Sequence, residues 1–277
     1  MSPFVPRLVT DPPPRGRVAL ALSSGGARGL AHIGVIDWLQ EQGWQIEAVA
    51  GASIGALVGG IHAAGRLAHY RDWVSGLQRQ QVARLLDLSF GAGGLFKGQR
   101  IMGVLREMVG DALIESLPTQ FTAVATDLEN GSEVWLREGS LFEAIRASMA
   151  APMVFTPHRV DGRLLSDGGL VNPLPLSPLP RHDELLTIAV DVGGPPQAEP
   201  ARKRERGMLD VALLSMQAVQ DTVTRLRLAE RAPDVHISIP RNACGFHEFW
   251  RAQEMIQLGR QRVAEAMAAL PRQRQSA

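Results

Sequence analysis

The 277-residue chain lacks the features that mark several large protein classes. Cys244 is its only cysteine, so no internal disulfide can form and no cysteine-based metal cluster can assemble. No stretch approaches the ~20 apolar residues that span a bilayer. The richest run of small and apolar residues, 48–65, is interrupted by glycines and His62. The opening MSPFVPRLVTDPPPRGR has no apolar core of the kind a signal peptide carries. A surplus of charge is missing too: the formal net charge is +1, which gives no electrostatic reason to expect nucleic acid. Lysine is confined to Lys97 and Lys203, and arginine carries nearly all the positive charge. That bias fits genomic base composition better than function. The expectation is a soluble cytoplasmic protein without metal or cofactor, free to touch the inner face of a membrane peripherally.

What is present is an alternation. Residues 17–23, RVALALS, form a short apolar run that suits a buried parallel strand. Residues 30–43 have helical spacing, with Ile33, Ile36 and Leu39 on one face and Gly43 as a stop. IEAVAG (46–51) predicts a second strand, and 52–65 a second helix rich in Gly and Ala. Strand, helix, strand, helix is the opening of a parallel α/β fold. Further helices are expected over 67–87, 99–109 and 140–150, the last with Ser140 and Glu143 in capping-box spacing. A hairpin is expected over 121–139, a strand over 185–192, a long helix over 208–231, a strand over 235–240 and a last helix over 247–269. Residues 195–206, PPQAEPARKRER, have the composition of an exposed linker. The C-terminal part predicts only one strand and cannot make its own sheet. The expected organisation is therefore a Pro-rich tail over 1–16, a single domain over 17–270 and a tail over 271–277.

Two glycine-rich turns carry candidate chemistry. Gly51-Ala52-Ser53-Ile54-Gly55 sits between the second strand and second helix. A strand that passes straight into a helix forces a sharp turn at Ser53, and Gly51 and Gly55 let it form without clashes. The hydroxyl then stands over the carboxyl end of the sheet, next to a helix N-terminus that favours negative charge. The bland alternative is an ordinary N-capping serine. Gly25-Gly26-Ala27-Arg28-Gly29 follows the first strand, and such a turn aims backbone N–H groups at one point, as an anion or a developing oxyanion requires. No G-K-[ST] is present, which excludes a P-loop, and the dinucleotide pattern fails because position 24 is serine. The alternative there is a plain turn with Arg28 in solvent. Both turns leave the same sheet edge, where α/β ligand sites lie.

A serine hydroxyl needs a base. The histidines, at 32, 62, 69, 158, 182, 236 and 247, have no distinctive setting. The order Ser…Asp…His of the α/β-hydrolases could be completed by His236 or His247. Ser53, however, follows only the second strand, earlier than the elbow of those enzymes. Three aspartates end or follow predicted strands: Asp127, Asp167 and Asp191. Asp167 ranks first because Gly168 and Gly169 allow a tight backbone turn and close approach, but strand-end aspartates are also common turn formers.

Taken together and in this order, SSGGARGLAHIGV, GASIGAL and SDGG resemble the patatin-like phospholipase family, in particular its compact bacterial members. VATDLENG, AIRASMAAPMVF and DGGLVNPLP extend the resemblance, which covers 17–195 well and the rest more loosely. It implies a three-layer α/β/α fold around a mostly parallel sheet, with the serine on a nucleophile elbow. It implies a Ser–Asp dyad of Ser53 and Asp167, and an oxyanion loop of Gly25, Gly26, Ala27 and Arg28 supported by Gly29. Ser24 replaces the first glycine of the family's G-x-G-x-x-G, with the N–H groups of 26 and 27 expected to serve. The implied reaction is hydrolysis of an acyl ester of phospholipid or lysophospholipid. A carboxylate near its usual ~4 is a poor base for serine, so Asp167 has to be desolvated. Acyl transfer is disfavoured because Ala52, not histidine, precedes the serine. A regulatory protein that keeps the fold is the reading from another class. Phe90, Leu95 and Phe96 flank glycines and suit an apolar lip, a membrane-touching loop or core packing equally.

Overall fold

The computed structural model describes residues 15–85, 99–198 and 207–270. The tails 1–14 and 271–277, the stretch 86–98 with Phe90, Leu95 and Phe96, and linker residues 199–206 lie outside the described residues. The chain runs β1 Gly16–Leu22, α1 Ala31–Glu41, β2 Trp44–Ala52, α2 Ile54–Ala63, α3 Leu67–Ser75, α4 Arg79–Leu85 and α5 Gln99–Val109. It continues through β3 Gln120–Asp127, β4 Glu133–Leu136, α6 Leu141–Ser148, β5 His158–Val160, β6 Arg163–Asp167 and β7 Leu185–Gly194. It ends with α7 Met208–Glu230, β8 Val235–Pro240 and α8 Ala252–Ala268.

The strands form one sheet in the order β5-β6-β3-β2-β1-β7-β8, with β4 also paired to β3. The five strands β3-β2-β1-β7-β8 are parallel, whereas β4, β5 and β6 are antiparallel. From β1 the chain first winds outward through β2 and β3, then returns to β1's other side with β7. The carboxyl ends of β1, β2 and β7 therefore flank a topological switch point, where open α/β sheets bind ligands. β5 and β6 are joined through Asp161 and Gly162, both at positive φ (47° and 80°), the backbone of a type I′ hairpin.

Alternation along β1 sorts the two faces. Val18, Leu20 and Leu22 are fully buried in the larger core under α1, α2 and α8. Burying each contributes roughly 1.5–3 kcal/mol. Ala19 and Ala21 face the other way, with Ala48, Ala50 and Ala189, against Leu174, Leu176 and Leu179. The small alanines let that Pro-rich segment lie close to the sheet, and Leu228 of α7 joins it there. The mostly parallel sheet is thus flanked on both faces, as a three-layer α/β/α fold requires. On the larger face α1 and α8 cross at contact distance. A Cβ on Gly34 would stand 1.9 Å from the Ile256 carbonyl oxygen, and one on Gly259 would stand 2.0 Å from that of Ala31.

Two expectations are corrected. The single helix over 67–87 is two, because Gly76 ends α3 and the chain turns through Leu77 and Gln78 before α4. The loop at 25–29 is itself a 3-10 helix, Gly26–Leu30, leading directly into α1. Half of the capping box is present: the Ser140 hydroxyl accepts from the Glu143 N–H, while the Glu143 carboxylate bonds His158 instead of reaching back to the cap.

Candidate active site

The turn at Ser53 is strained. Its φ is 54° and ψ is −120°, a conformation that a residue with a Cβ rarely adopts. The surroundings hold it there. The Ser53 N–H donates to the Ser148 hydroxyl at 2.9 Å, and that hydroxyl donates to the Val124 carbonyl at 2.6 Å. Ser148 is fully buried, so this bridge from elbow to β3 is shielded from water. The flanking glycines make room. A Cβ on Gly51 would lie 2.4 Å from the Gly55 backbone, and one on Gly55 would lie 2.1 Å from the Leu22 carbonyl oxygen.

Asp167 ends β6, opposite Ala125 of β3. The Ser53 hydroxyl hydrogen-bonds its carboxylate. The Gly169 N–H donates to Asp167 Oδ1 at 2.7 Å. Burial pushes the Asp167 carboxyl up to about 6, against the opposing pull of those two bonds. Gly168 permits the approach, since a Cβ there would stand 2.0 Å from the Val124 carbonyl oxygen. A Cβ on Gly169 would crowd Ser24 Oγ at 2.7 Å and Gln220 Nε2 at 2.8 Å. Ser53 and Asp167, far apart in the chain, are thus in direct contact.

The 25–29 turn adjoins them, with its donors distributed differently from expectation. The Ala27 N–H is committed to the Phe246 carbonyl at 2.9 Å, so it is not an open donor. The Arg28 N–H lies within the 3-10 helix. Its side chain is buried, not solvated: Nε donates to the Val192 carbonyl at 3.1 Å and a terminal nitrogen to that of Arg241 at 3.0 Å. Arg28 ties the turn to the ends of β7 and β8. The N–H groups of Gly25 and Gly26, at the helix's open N-terminal end, bond to nothing among the described residues. Gly26 has φ 61°, and a Cβ there would strike the Phe246 ring at 2.4 Å. Gly29 packs on Ile54 of the neighbouring turn, where a Cβ would stand 2.3 Å from the side chain. Ser24 has no positive φ, so the backbone there does not require glycine.

The remaining candidates have other roles. Asp127 accepts from the Glu129 N–H and pairs with Arg163, and Asp191 accepts from the Gly193 N–H. His32 is buried and neutral, pushed down to about 4 by desolvation, and its Nε2 bonds the Ser23 carbonyl behind the turn. His247 borders the site but packs edge-on against Trp250. No histidine bonds Ser53 among the described residues.

Two cavities meet at Ser53. One, about 350 Å³, is an apolar slot lined by Ile54, Leu57, Tyr70, Trp73, Val154, Phe155 and Phe246. The other, about 440 Å³, is lined by Ser24, Asp167, Gln217, Gln220, Arg241 and Asn242. It shares Ser24, Arg28, Gln217, Gln220 and Arg241 with a further polar cleft reaching Asp191 and His236. Phe246 and α7, both central to this arrangement, carry no local sequence signal; only the fold brings them here. An apolar slot and an adjoining cavity that mixes polar and apolar side chains, both reaching Ser53, can hold an amphiphilic ester.

Comparison with known proteins agrees with this geometry. A family model described as patatin-like phospholipase matches residues 20–180. A Mycobacterium tuberculosis protein described as an uncharacterized NTE family protein is 52% identical over 189 residues, covering 68% of this chain and 52% of its own. Human patatin-like phospholipase domain-containing protein 6 is 33% identical over 183 residues, 64% of this chain and 13% of that one. Among solved structures, VipD from Legionella pneumophila aligns with a TM-score of 0.49 at 14% identity, over 92% of this chain and 67% of VipD. The chain spans about half the length of the mycobacterial relatives it matches. The matched stretch 20–180 is more than half of the chain and contains both glycine-rich turns and the Asp167 turn, so this chain belongs to the patatin-like phospholipase family.

Proposed function

We propose that the chain is a serine carboxylic-ester hydrolase that releases fatty acid from a phospholipid or lysophospholipid, with Ser53 as nucleophile and Asp167 as general base. The observation that carries this reading is the hydrogen bond from the strained, buried Ser53 to a carboxyl pushed up to about 6 by its own burial. At that value Asp167 is ionised at neutral pH, yet far closer in basicity to its task than an ordinary carboxylate.

In the proposed cycle, Asp167 takes the hydroxyl proton as Ser53 Oγ attacks the acyl carbon. The oxyanion is held by the N–H groups of Gly25 and Gly26. The tetrahedral intermediate collapses, the C–O bond to the alcohol breaks, and Asp167 returns the proton to the departing lysolipid or glycerophospho alcohol. Water then gives its proton to Asp167 and attacks the acyl-enzyme, and Ser53 leaves with that proton. The acyl chain lies in the slot of Leu57, Tyr70 and Phe155, and the polar end lies toward Gln217, Gln220 and Arg241.

The test is release of p-nitrophenol from a p-nitrophenyl acyl ester. Ser53→Ala and Asp167→Asn are each expected to bring turnover to background. Full activity in Asp167→Asn overturns the dyad. A fluorophosphonate probe is expected to label Ser53 in the parent and nothing in Ser53→Ala. A panel of phospholipids and lysophospholipids then reads the substrate class.

A further inference from the structure

Serine in place of glycine at position 24 puts a hydroxyl beside the dyad, and α7 sets an amide next to it. Ser24 Oγ, Gln220 Nε2 and Asp167 Oδ1 lie 2.7, 2.8 and 2.9 Å from one point, the place a Cβ on Gly169 would take. Asp167 Oδ1 already accepts from the Gly169 N–H. The Ser24 hydroxyl and the Gln220 amide bond no other group among the described residues. Gln217 Nε2, one turn earlier on the same face of α7, is buried and likewise without a partner. The backbones behind the pair are fixed. The Ser24 N–H donates to the Pro173 carbonyl at 2.9 Å, and α7 is tied down next to Gln220 by Asp221 with Arg241 and one turn later by Arg227 with Glu133. Both side chains line the cavity that holds Ser53 and Asp167, and both line the polar cleft of about 570 Å³ that reaches Asp191 and His236. They stand where the two join. No charged side chain acts on Asp167, whose ionisation answers to burial and two hydrogen bonds.

We propose that Ser24 and Gln220 are further catalytic residues, which hold the hydroxyl that exchanges a proton with Asp167: the alcohol as it departs and the water that replaces it. Deacylation retraces acylation with water in the place of the alcohol, so one binding position serves both steps. A water molecule there has four bonding directions to fill. One O–H donates to Asp167 and the other to Ser24 Oγ. Gln220 Nε2 donates to one lone pair, and the second lone pair is left for the acyl carbon. As that pair forms the new C–O bond, the water proton passes to Asp167 and the carbonyl electrons move onto the oxyanion. Collapse breaks the bond to Ser53 Oγ, which takes the proton back from Asp167, and the fatty acid is free. Neutral side chains suit this task, because lysine or arginine in either place would stabilise the carboxylate and weaken it as a base. The polar cleft gives water a way to the pair while an acyl chain fills the slot. The inference rests on the Ser53–Asp167 dyad proposed above and adds to it two residues for the step that uses water.

The experiment uses p-nitrophenyl butyrate, whose leaving group departs without a proton, so that only the water step calls on the pair. The double variant Ser24→Ala/Gln220→Met is expected to lower kcat about tenfold, while kcat/KM, set by acylation, stays within about twofold of the parent. Butyryl-enzyme, quenched in acid at saturating ester and weighed as the intact protein, is expected to accumulate in the variant. Fluorophosphonate is expected to label Ser53 at the parent's rate, since that reaction uses no water. Gln220→Glu keeps the shape and adds a like charge beside Asp167, so the acid limb of kcat is expected to move up by about one pH unit. Equal falls in kcat and kcat/KM, an unchanged kcat in the double variant, or an acid limb unmoved in Gln220→Glu each overturn the inference. A parent that neither turns over nor takes the fluorophosphonate overturns the dyad and this inference together. A parent that meets the tests of the dyad, beside a double variant with the parent's kinetics, overturns this inference alone.

Discussion

The turn after β1 and the turn after β2 leave the same edge of the sheet one strand apart, and both pass directly into helices. They offer a substrate different atoms. The first, 24–29, confines its left-handed backbone to glycine and presents N–H groups, those of Gly25 and Gly26. The second, 51–55, places the left-handed conformation on Ser53, which has a side chain to present, and hides that residue's own N–H in the Ser148 bond. Their glycines are reciprocal: Gly55 makes room for the β1 strand end at Leu22, and Gly29 makes room for Ile54 beside the serine. Each turn is glycine-rich so that the other can approach, and Ser53 and the open N–H groups of Gly25 and Gly26 become neighbours as a result.

That division of labour can be broken from either side. The largest effect is expected from the side chains: Ser53→Ala or Asp167→Asn lowers kcat by about 10⁴-fold or more in the p-nitrophenyl ester assay. Next comes the backbone of the other turn. Gly26→Ala puts a Cβ at φ 61° and into the Phe246 ring, which displaces the donors, so kcat falls about 10²–10³-fold while fluorophosphonate still labels Ser53 slowly. Ser148→Ala acts through the elbow. It frees the Ser53 N–H and leaves the Val124 carbonyl without that bond, at about 1–3 kcal/mol of stability, read from urea unfolding, and about a tenfold loss in kcat.

The smallest and most informative effect is that of pH. A base must be ionised, so kcat/KM falls as pH drops through about 6, and that limb is absent from a reaction that does not need Asp167. Stability moves the other way. The carboxyl is raised above its usual 3.8 in the folded chain, so the native state takes up the proton more readily. Its destabilising contribution is complete above about pH 6 and absent below the unfolded value. Asp167→Asn is therefore expected to be more stable than the parent at pH 8 by on the order of 1–3 kcal/mol, read from urea unfolding, with the gain shrinking toward pH 4. An equal gain at both pH values would remove burial as the cause.

Much of this was legible residue by residue. The apolar runs of β1 and β2, the stop at Gly43 and the cap at Ser140 obey local rules of period, backbone freedom and hydrogen bonding. Ser53 was legible because a strand–helix elbow demands small residues at fixed offsets. The break between α3 and α4 is not legible, because the apolar spacing continues past Gly76 and hides the stop. The commitment of the Ala27 N–H is not legible locally: its partner, the Phe246 carbonyl, arrives from the segment after β8, and no local pattern announces a backbone acceptor. Ser148 is invisible in the same way, as a small polar residue in an apolar stretch.

The sequence by itself determined the alternation of strands and helices, the two glycine-rich turns and the three strand-end aspartates that were candidates for a base. Local sterics and periodicity act over a few residues and are written in them. The tertiary structure alone decided that Asp167 and not Asp127 or Asp191 lies on Ser53, and that burial lifts its carboxyl to about 6. It alone decided that Gly25 and Gly26 keep the free donors and that α7 brings Leu213, Gln217 and Gln220 to the cavities at Ser53. Those outcomes depend on which distant backbone and side-chain atoms share one dry space, and desolvation exists only once the sheet, its turns and α7 have closed around it.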